Sequence, residues 1–210
     1  MELKRKKKYK SYLFIIIGSV FILLGFLAII CNKYSSIKIH KEEEKRIELF
    51  LEEQENSIPY TEVKKEKAEK KTNRTNKTNY IAILEIPSIN LKKGLVNKTS
   101  KENNIDKNIY IIKESSFPKE NSISHIILAS HSGNSKNSFF KELRNLKYGN
   151  KVYLHYNGKC YEYEVSRKYK IEKNGTMVRE IYEKDSISLI TCLGNSNKQL
   201  VVVATLKNII

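Results

Sequence analysis

The sequence predicts a mainly β domain that follows a membrane-spanning helix. Three observations predict it: an uncharged apolar run near the start, a series of short segments in which apolar and polar residues alternate, and the dipeptide Asn157-Gly158 between two of those segments. Alternation with a period of two is typical of half-buried strands, and Asn-Gly is favoured in two-residue hairpin turns. These patterns alone leave a closed barrel and a sandwich open.

The apolar run predicts the membrane helix. The basic segment 1–11 directly precedes 12–31, an uncharged run of 20 residues. That length is about what a helix needs to cross a hydrocarbon core of ~30 Å, and the basic residues place the N-terminus in the cytoplasm. We therefore expect an uncleaved, single-pass signal anchor, with the rest of the chain outside the cell membrane. A cleaved signal peptide is the competing interpretation, but it calls for a shorter apolar region and a small-residue exit.

The next segment, 32–79, is predicted to connect the anchor to the domain. Its first part is charged at helical spacing and predicts a short helix that Pro59 closes. The second part is rich in lysine and asparagine and has almost nothing to bury, which is typical of an extended linker.

The predicted β domain occupies 80–210. Pro87 stops its first strand, Gly94 bounds the second, and the Asn157-Gly158 turn joins the two longest alternating segments. One or two helical turns are expected in FFKELRNLKYGN, where four apolar residues share a face and Gly149 ends the helix. In chain order, strands are expected in YIAILEIP, INLKKGLV, IYII, SHIILASH, KVYLHY, KCYEYEVSRKYKI, SISLITC and QLVVVATL.

Charge and cysteine content narrow the function classes. Lysine and arginine number 39 against 23 acids, a net charge of +16 that is typical of proteins binding nucleic acid or other polyanions. The basic block beside the apolar run is better explained as a topology signal and a contact with anionic lipid, so we expect no nucleic-acid partner. Cys31, Cys160 and Cys192 are too few for a disulfide scaffold and lack zinc-site spacing, although a Cys160–Cys192 disulfide stays open.

Two strand ends carry residues capable of nucleophilic chemistry. Cys192 ends SISLITC just before a polar turn, and His131 ends the strand that begins at His125. A thiol becomes a nucleophile when a histidine or another cation activates it. The ordinary alternative is a small buried thiol and a structural histidine, which is the commoner fate of each residue type.

The order of these segments resembles the sortase family, the membrane-anchored cysteine transpeptidases of Gram-positive bacteria. The resemblance covers ASHSG, the FFKEL helix, a Y-x-Y-x-V strand, SLITC and a closing VVVA strand. SLITC is similar to the family pattern TLxTC, with Ser188 in the position of the first threonine. The resemblance implies a closed β-barrel of seven or eight strands with one or two short helices.

The resemblance also implies roles for individual residues. Cys192 corresponds to the nucleophile and His131 to the general acid and base, while Ser130 and Thr191 are expected to contact substrate. The family arginine, which holds the substrate backbone and stabilises negative charge, falls on Gln199. This is a departure, because an amide carries no charge.

Three other residues come into question as a replacement for that arginine. Lys198 is adjacent to Gln199 but should point to the opposite face of its strand. Arg167 and Arg179 could reach the site from elsewhere in the domain.

The function implied is cleavage of an LPxTG-like sorting signal and transfer of the protein to an amine of a peptidoglycan precursor or a pilin. No cofactor is expected, and the sequence has no apparent cluster of metal ligands, although some members of the family bind calcium. A second hypothesis is a sortase-fold protein that binds sorting signals or wall polymer with weak or no catalysis, which Gln199 supports. A third is a basic module that binds anionic polymers, but it rests on net charge alone and lacks a stacking motif of aromatic and basic residues.

Overall fold

A computed structural model describes residues 2–55, 80–173, 184–194 and 196–210. These residues form two compact units, Met1–Arg46 and Ile47–Ile210.

A single helix, α1, runs from Glu2 to Glu55. This helix includes both the segment predicted as the anchor and the segment predicted as a short charged helix, so the charged helix is not a separate element. Pro59 and the predicted lysine- and asparagine-rich linker lie outside the described residues. Among the residues that the structure describes, no helical stretch combines the length and the apolar character needed to cross a bilayer.

Eight strands follow, and they match the eight segments in which strands were predicted. The hairpin between β5 and β6 turns at Asn157 and Gly158, both of which have positive φ, as a type I′ turn requires. The strands are β1 (Tyr80–Ile86), β2 (Leu91–Val96), β3 (Tyr110–Ile111), β4 (His125–Ala129), β5 (Lys151–Tyr156), β6 (Lys159–Glu172), β7 (Ser186–Cys192) and β8 (Lys198–Ile209).

All eight strands belong to one sheet with the order β2-β1-β5-β6-β8-β7-β4-β3. Neighbouring strands are antiparallel except β4 and β7, which run parallel. The sheet curls into a nearly closed barrel with β2 and β3 at its edges, so the sandwich alternative is wrong. The parallel pair brings the C-terminal ends of β4 and β7 to the same rim of the barrel.

The barrel interior is filled by one face of each long strand. Leu84, Leu128, Leu189 and Val202 are fully buried there, and Tyr163 has the largest fully buried side chain among the residues that the structure describes. Interdigitated apolar side chains of this kind make the interior a packed core rather than a channel. The strands that carry the rim residues are therefore held rigidly.

The helix predicted near residue 140 is shorter than expected. Only Leu143–Asn145 is helical, as a 3-10 turn, because Leu146 has already returned to an extended conformation. Phe140, Leu143 and Leu146 are buried as the shared apolar face predicts. A second 3-10 turn, Pro87–Ile89, links β1 to β2.

Gly94 lies inside β2 rather than at its boundary, which corrects the sequence prediction. A Cβ atom at Gly94 would clash with the Tyr80 ring. The glycine therefore allows that ring to lie against the sheet, and the strand continues to Val96.

The end of α1 contributes to the unit that contains the barrel. Ile47 is 4% exposed and packs with Tyr80, Ile83 and Val96 on the outer face of β1 and β2. At the last turn the side chain of Gln54 accepts a hydrogen bond from the backbone N–H of Gly158.

Candidate active site

Cys192 is the last residue of β7, and the backbone on both sides of it is held by hydrogen bonds. It pairs with Gln199 in the antiparallel β7–β8 ladder. The N–H of Leu193 then donates to the carbonyl of Lys198 at 3.0 Å, and Gly194 turns the chain with φ of 56°. The thiol of Cys192 is free and half-buried. A nucleophile at a strand end needs both properties, since it must be unblocked and within reach of solvent. All three cysteines are free, so the disulfide between Cys160 and Cys192 that the sequence left possible is not formed.

His131 follows the end of β4 by two residues. Its Nε2 lies 3.0 Å from Oδ1 of Asp106, and its carbonyl accepts the N–H of Phe140 at 3.1 Å. The His131 side chain is 40% exposed, so the ring is accessible from solvent.

Three hydrogen bonds tie the end of β4 to the end of β7. The N–H of Ser130 donates to the carbonyl of Ile190 at 3.2 Å, which continues the parallel ladder beyond β4. The Thr191 hydroxyl donates to the carbonyl of Ser130 at 2.7 Å, and the Ser132 hydroxyl donates to the carbonyl of Cys192 at 2.6 Å. His131 therefore lies between two residues that are bonded to β7.

The strand register brings the ends of β4 and β7, and with them His131 and Cys192, to the same rim. Ala129 pairs with Ile190, and the same parallel register continued by two residues would set His131 opposite Cys192. Side chains alternate along a strand, which puts Cys192 on the face that Ala129 and Ile190 share, while His131 lies just beyond the end of β4 at the same rim. Among the described residues no hydrogen bond joins the thiol to the imidazole; such bonds are often long until substrate is bound.

Ser130 and Thr191 are buried at this rim, at 2% and 4% exposure. Their hydrogen bond to each other gives them a structural task, which is to hold the two strand ends in register. A contact of either residue with substrate stays a prediction.

The face that carries the thiol is apolar. Rows of paired residues cross β6, β8, β7 and β4, and the row next to Cys192 contains Tyr169, Val201, Ile190 and Ala129. We call this surface the outer apolar face; its buried members are Ile127, Ile190, Val201 and Val203, and its half-buried members are Ile112, Ala129, Tyr169 and Ile171.

Gln199 is half-buried and lies on this face, directly opposite Cys192. Lys198 lies 3.8 Å from the Glu172 carboxylate and, as the alternation predicts, follows the opposite face of β8. Arg167 lies two rows from Cys192 with its guanidinium 5.6 Å from the centre of the Tyr169 ring. Arg179 lies outside the described residues.

Sequence reasoning missed Asp106 and Ser132. Asp106 is in the polar loop between β2 and β3, and no local pattern connects it with a histidine 25 residues later. Ser132 could have been suggested by its position beside His131, but its bond to Cys192 depends on the parallel pairing of distant strands.

A second histidine on this side of the barrel is His125, whose Nε2 lies 2.8 Å from the Ser188 hydroxyl. It begins β4 and is therefore at the opposite end of the strand from the thiol. Within the described ranges, no group of three or more histidine, cysteine, aspartate or glutamate side chains is placed to hold a metal ion.

Comparisons with known proteins agree with this architecture. The sortase domain family matches residues 84–207. Sortase A of Bacillus anthracis is 31% identical over 128 residues, which are 60% of this chain and 59% of that protein. The chain thus spans about three fifths of the length of this curated relative.

Two solved structures are similar in fold and sequence. Sortase C1 from Streptococcus agalactiae is 26% identical with a TM-score of 0.55, covering 63% of this chain and 70% of that one. Sortase C from Clostridium perfringens is 26% identical with a TM-score of 0.52, covering 62% and 71%. Since the family match covers more than half of the residues and includes both strand ends, the chain belongs to the sortase family.

Proposed function

We propose that this protein is a cysteine transpeptidase that cleaves an LPxTG-like sorting signal and joins the released acyl group to an amine. The observation that carries the proposal is the placement of Cys192 and His131 on adjacent, hydrogen-bonded strand ends of a sortase-family barrel. A thiol beside an imidazole is the pairing that nucleophilic acyl transfer requires.

The first chemical step breaks the peptide bond. The Cys192 thiolate attacks the carbonyl carbon of a Thr–Gly-type bond, and a tetrahedral intermediate forms. As it collapses, the C–N bond breaks and His131 gives a proton to the departing amine. The product is a thioester between the acyl fragment and Cys192.

The second step resolves the thioester. The amine of a peptidoglycan precursor or a pilin attacks the same carbonyl carbon, and His131 accepts the proton that the amine loses. The C–S bond breaks and the thiolate leaves, which restores the enzyme. Atoms and charge balance without a cofactor.

The outer apolar face supports a peptide substrate with apolar residues before the scissile bond. It lies directly beside Cys192 and combines aliphatic side chains with the Tyr169 ring. Its half-buried members near the thiol, Ala129, Tyr169 and Ile171, keep apolar surface that a peptide side chain can cover, and each Å² removed from water contributes roughly 25 cal/mol.

Gln199 favours a second candidate function, binding of sorting signals with weak or no catalysis. Its side-chain amide can donate hydrogen bonds but is neutral, whereas the resemblance implies a forked cation at this position. Loss of a donor to a developing oxyanion typically lowers kcat by about 10²–10³-fold.

For the rest of the chain we propose a signal anchor at 12–31 with a cytoplasmic tail at 1–11, a connecting segment at 32–79 and the catalytic domain at 80–210 outside the cell membrane. Large apolar side chains exposed on α1 support an apolar environment for it. They are Ile17, Val20, Phe21, Ile22, Leu23, Leu24, Phe26, Leu27, Ile29 and Ile30.

The test is a cleavage assay on the full chain in detergent, with a library of LPxTG-like peptides and an amine acceptor. We expect cleavage and ligation in the wild type, and loss of both in Cys192→Ala and His131→Ala. Cys160→Ala is the matched control, because Cys160 is also a half-buried strand thiol but lies on β6. Peptide binding without cleavage in every form would favour the second candidate.

A further inference from the structure

The strongest feature that the proposed chemistry leaves unexplained is the contact between His131 and Asp106. Oδ1 of Asp106 lies 3.0 Å from Nε2 of His131, within ordinary hydrogen-bond distance. An ionised carboxylate can only accept hydrogen bonds, so Nε2 must carry the proton in this contact.

The Asp106 backbone is itself held in place. Its N–H donates to Oδ1 of Asn104 at 2.8 Å, which closes a local turn. The side-chain amide of Asn137 donates to the carbonyl of Asp106. The loop before β3 is thereby joined to the loop after β4 at two points, the Asn137 amide and the His131 ring.

We propose that Asp106 is a positioning residue for His131. It fixes the tautomer with the proton on Nε2 and leaves Nδ1 free to exchange a proton with the thiol and with the leaving or entering amine. When Nδ1 accepts a proton, the carboxylate stabilises the positive charge that forms on the ring. This inference rests on the proposed transpeptidase function for its effect on turnover, but the tautomer exists with or without turnover.

Exposure limits the size of the effect. The Asp106 side chain is 76% exposed and that of His131 is 40% exposed, so solvent screens the pair. Exposed ion pairs typically change an equilibrium or rate by about two- to fivefold, far less than a buried carboxylate would. We therefore expect Asp106→Asn and Asp106→Ala to lower kcat by about two- to fivefold while KM stays unchanged.

Asp106→Glu should recover part of the lost kcat, because the longer side chain keeps the charge. Raising the salt concentration should reduce the difference in kcat between the wild type and Asp106→Ala, because salt screens the interaction of the carboxylate with the ring. Glu102→Gln is the matched control: it removes one charge from the same loop, where Glu102 pairs with Lys107 at 2.9 Å, and it should leave kcat unchanged.

The deciding measurement is ¹⁵N NMR of the full chain in detergent, with labelled histidine and with His131→Gln to assign the His131 ring. At a pH where the ring is neutral we expect the Nε2–H tautomer in the wild type and a mixture in Asp106→Ala. An Nδ1–H tautomer in the wild type, or identical spectra in both proteins, would overturn the inference.

Kinetics separate this inference from the proposed function. If the wild type cleaves no peptide, the proposed function fails while the NMR result still decides the role of Asp106. Suppose instead that the wild type is active. If Asp106→Ala has the same kcat as the wild type, or if Glu102→Gln lowers kcat as much as Asp106→Ala does, Asp106 has no specific positioning role.

Discussion

At the scale of residues, the pairing of Cys192 with Gln199 bears directly on the proposed chemistry at this barrel rim. The two residues are direct partners across β7 and β8, so a side chain at position 199 reaches the space beside the thiol. A glutamine there supplies a neutral amide where a cation would stabilise a developing negative charge more strongly.

Gln199→Arg should raise kcat/KM, by about tenfold or more, because a guanidinium at this position can stabilise the oxyanion. Steady-state peptide cleavage measures the change. Lys198→Arg is the control, since it keeps a cation on the adjacent residue whose side chain follows the other face of the strand. An unchanged rate in Gln199→Arg would mean that another group already performs this task.

The sequence identifies Cys192 and His131 as candidates for the proposed chemistry, but it does not point to the carboxylate beside the histidine. Cys192 ends an apolar strand and His131 lies two residues beyond one, so a few consecutive residues suffice to mark both as candidates, and the resemblance to sortases implies their roles. Asp106 is not predictable in this way, because its contact depends on how the loop before β3 folds toward the loop after β4.

At the scale of elements, the last two turns of α1 are part of the same compact unit as the barrel. Ile47 is nearly fully buried against β1 and β2, whereas Leu49 on the same helix is 49% exposed. The apolar residues in this part of the sequence predict a helix with a narrow apolar patch. In the structure Ile47, Phe50 and Leu51 of this helix pack against the outer face of β1 and β2.

Ile47→Ala should lower the free energy of unfolding of the barrel by about 2–4 kcal/mol, because it removes buried methyl groups and leaves a cavity. Leu49→Ala, a matched loss of aliphatic volume at an exposed site, should change it by less than about 0.5 kcal/mol. Urea unfolding of the full chain, followed by near-ultraviolet circular dichroism of the tyrosines, measures both. Equal effects would show that the helix end does not stabilise the barrel.

Strand positions were predictable because alternation and turn residues are local signals, and the Asn157-Gly158 hairpin is the clearest case. The exceptions have physical reasons outside the local sequence. Gly94 resembles a strand end in the sequence, but it lies within β2, where the absence of a Cβ atom leaves room for the Tyr80 ring. The helix near residue 140 is shorter than predicted because the chain is extended again at Leu146.

At the scale of the whole molecule, stability should depend on pH through His155 on β5. Its Nε2 is buried and lies 3.5 Å from the Glu85 carboxylate, too far for a hydrogen bond. Burial lowers the pKa of His155 from its ordinary value of 6.5; Glu85 acts in the opposite direction, and Lys92 adds to the lowering.

The unfolded chain therefore binds a proton at His155 more readily than the folded chain does. The free energy of unfolding should fall as the pH is lowered through 6.5, and the contribution of His155 should level off below its folded pKa. One proton sets an upper limit of about 1.4 kcal/mol per pH unit. Urea unfolding between pH 7.5 and 5.5 measures the slope, which His155→Gln should reduce. A slope unchanged by this substitution would contradict the assignment.

The central claim, that Cys192 is the nucleophile of an acyl transfer, is tested most directly by trapping the thioester. The full chain would be mixed with an LPxTG-like peptide, quenched in acid and analysed by intact and peptide mass spectrometry. We predict a mass increase equal to the acyl fragment on the peptide that contains Cys192, sensitive to hydroxylamine, retained in Cys160→Ala and absent in Cys192→Ala. A peptide that binds but forms no adduct, or an adduct on Cys160, would contradict it.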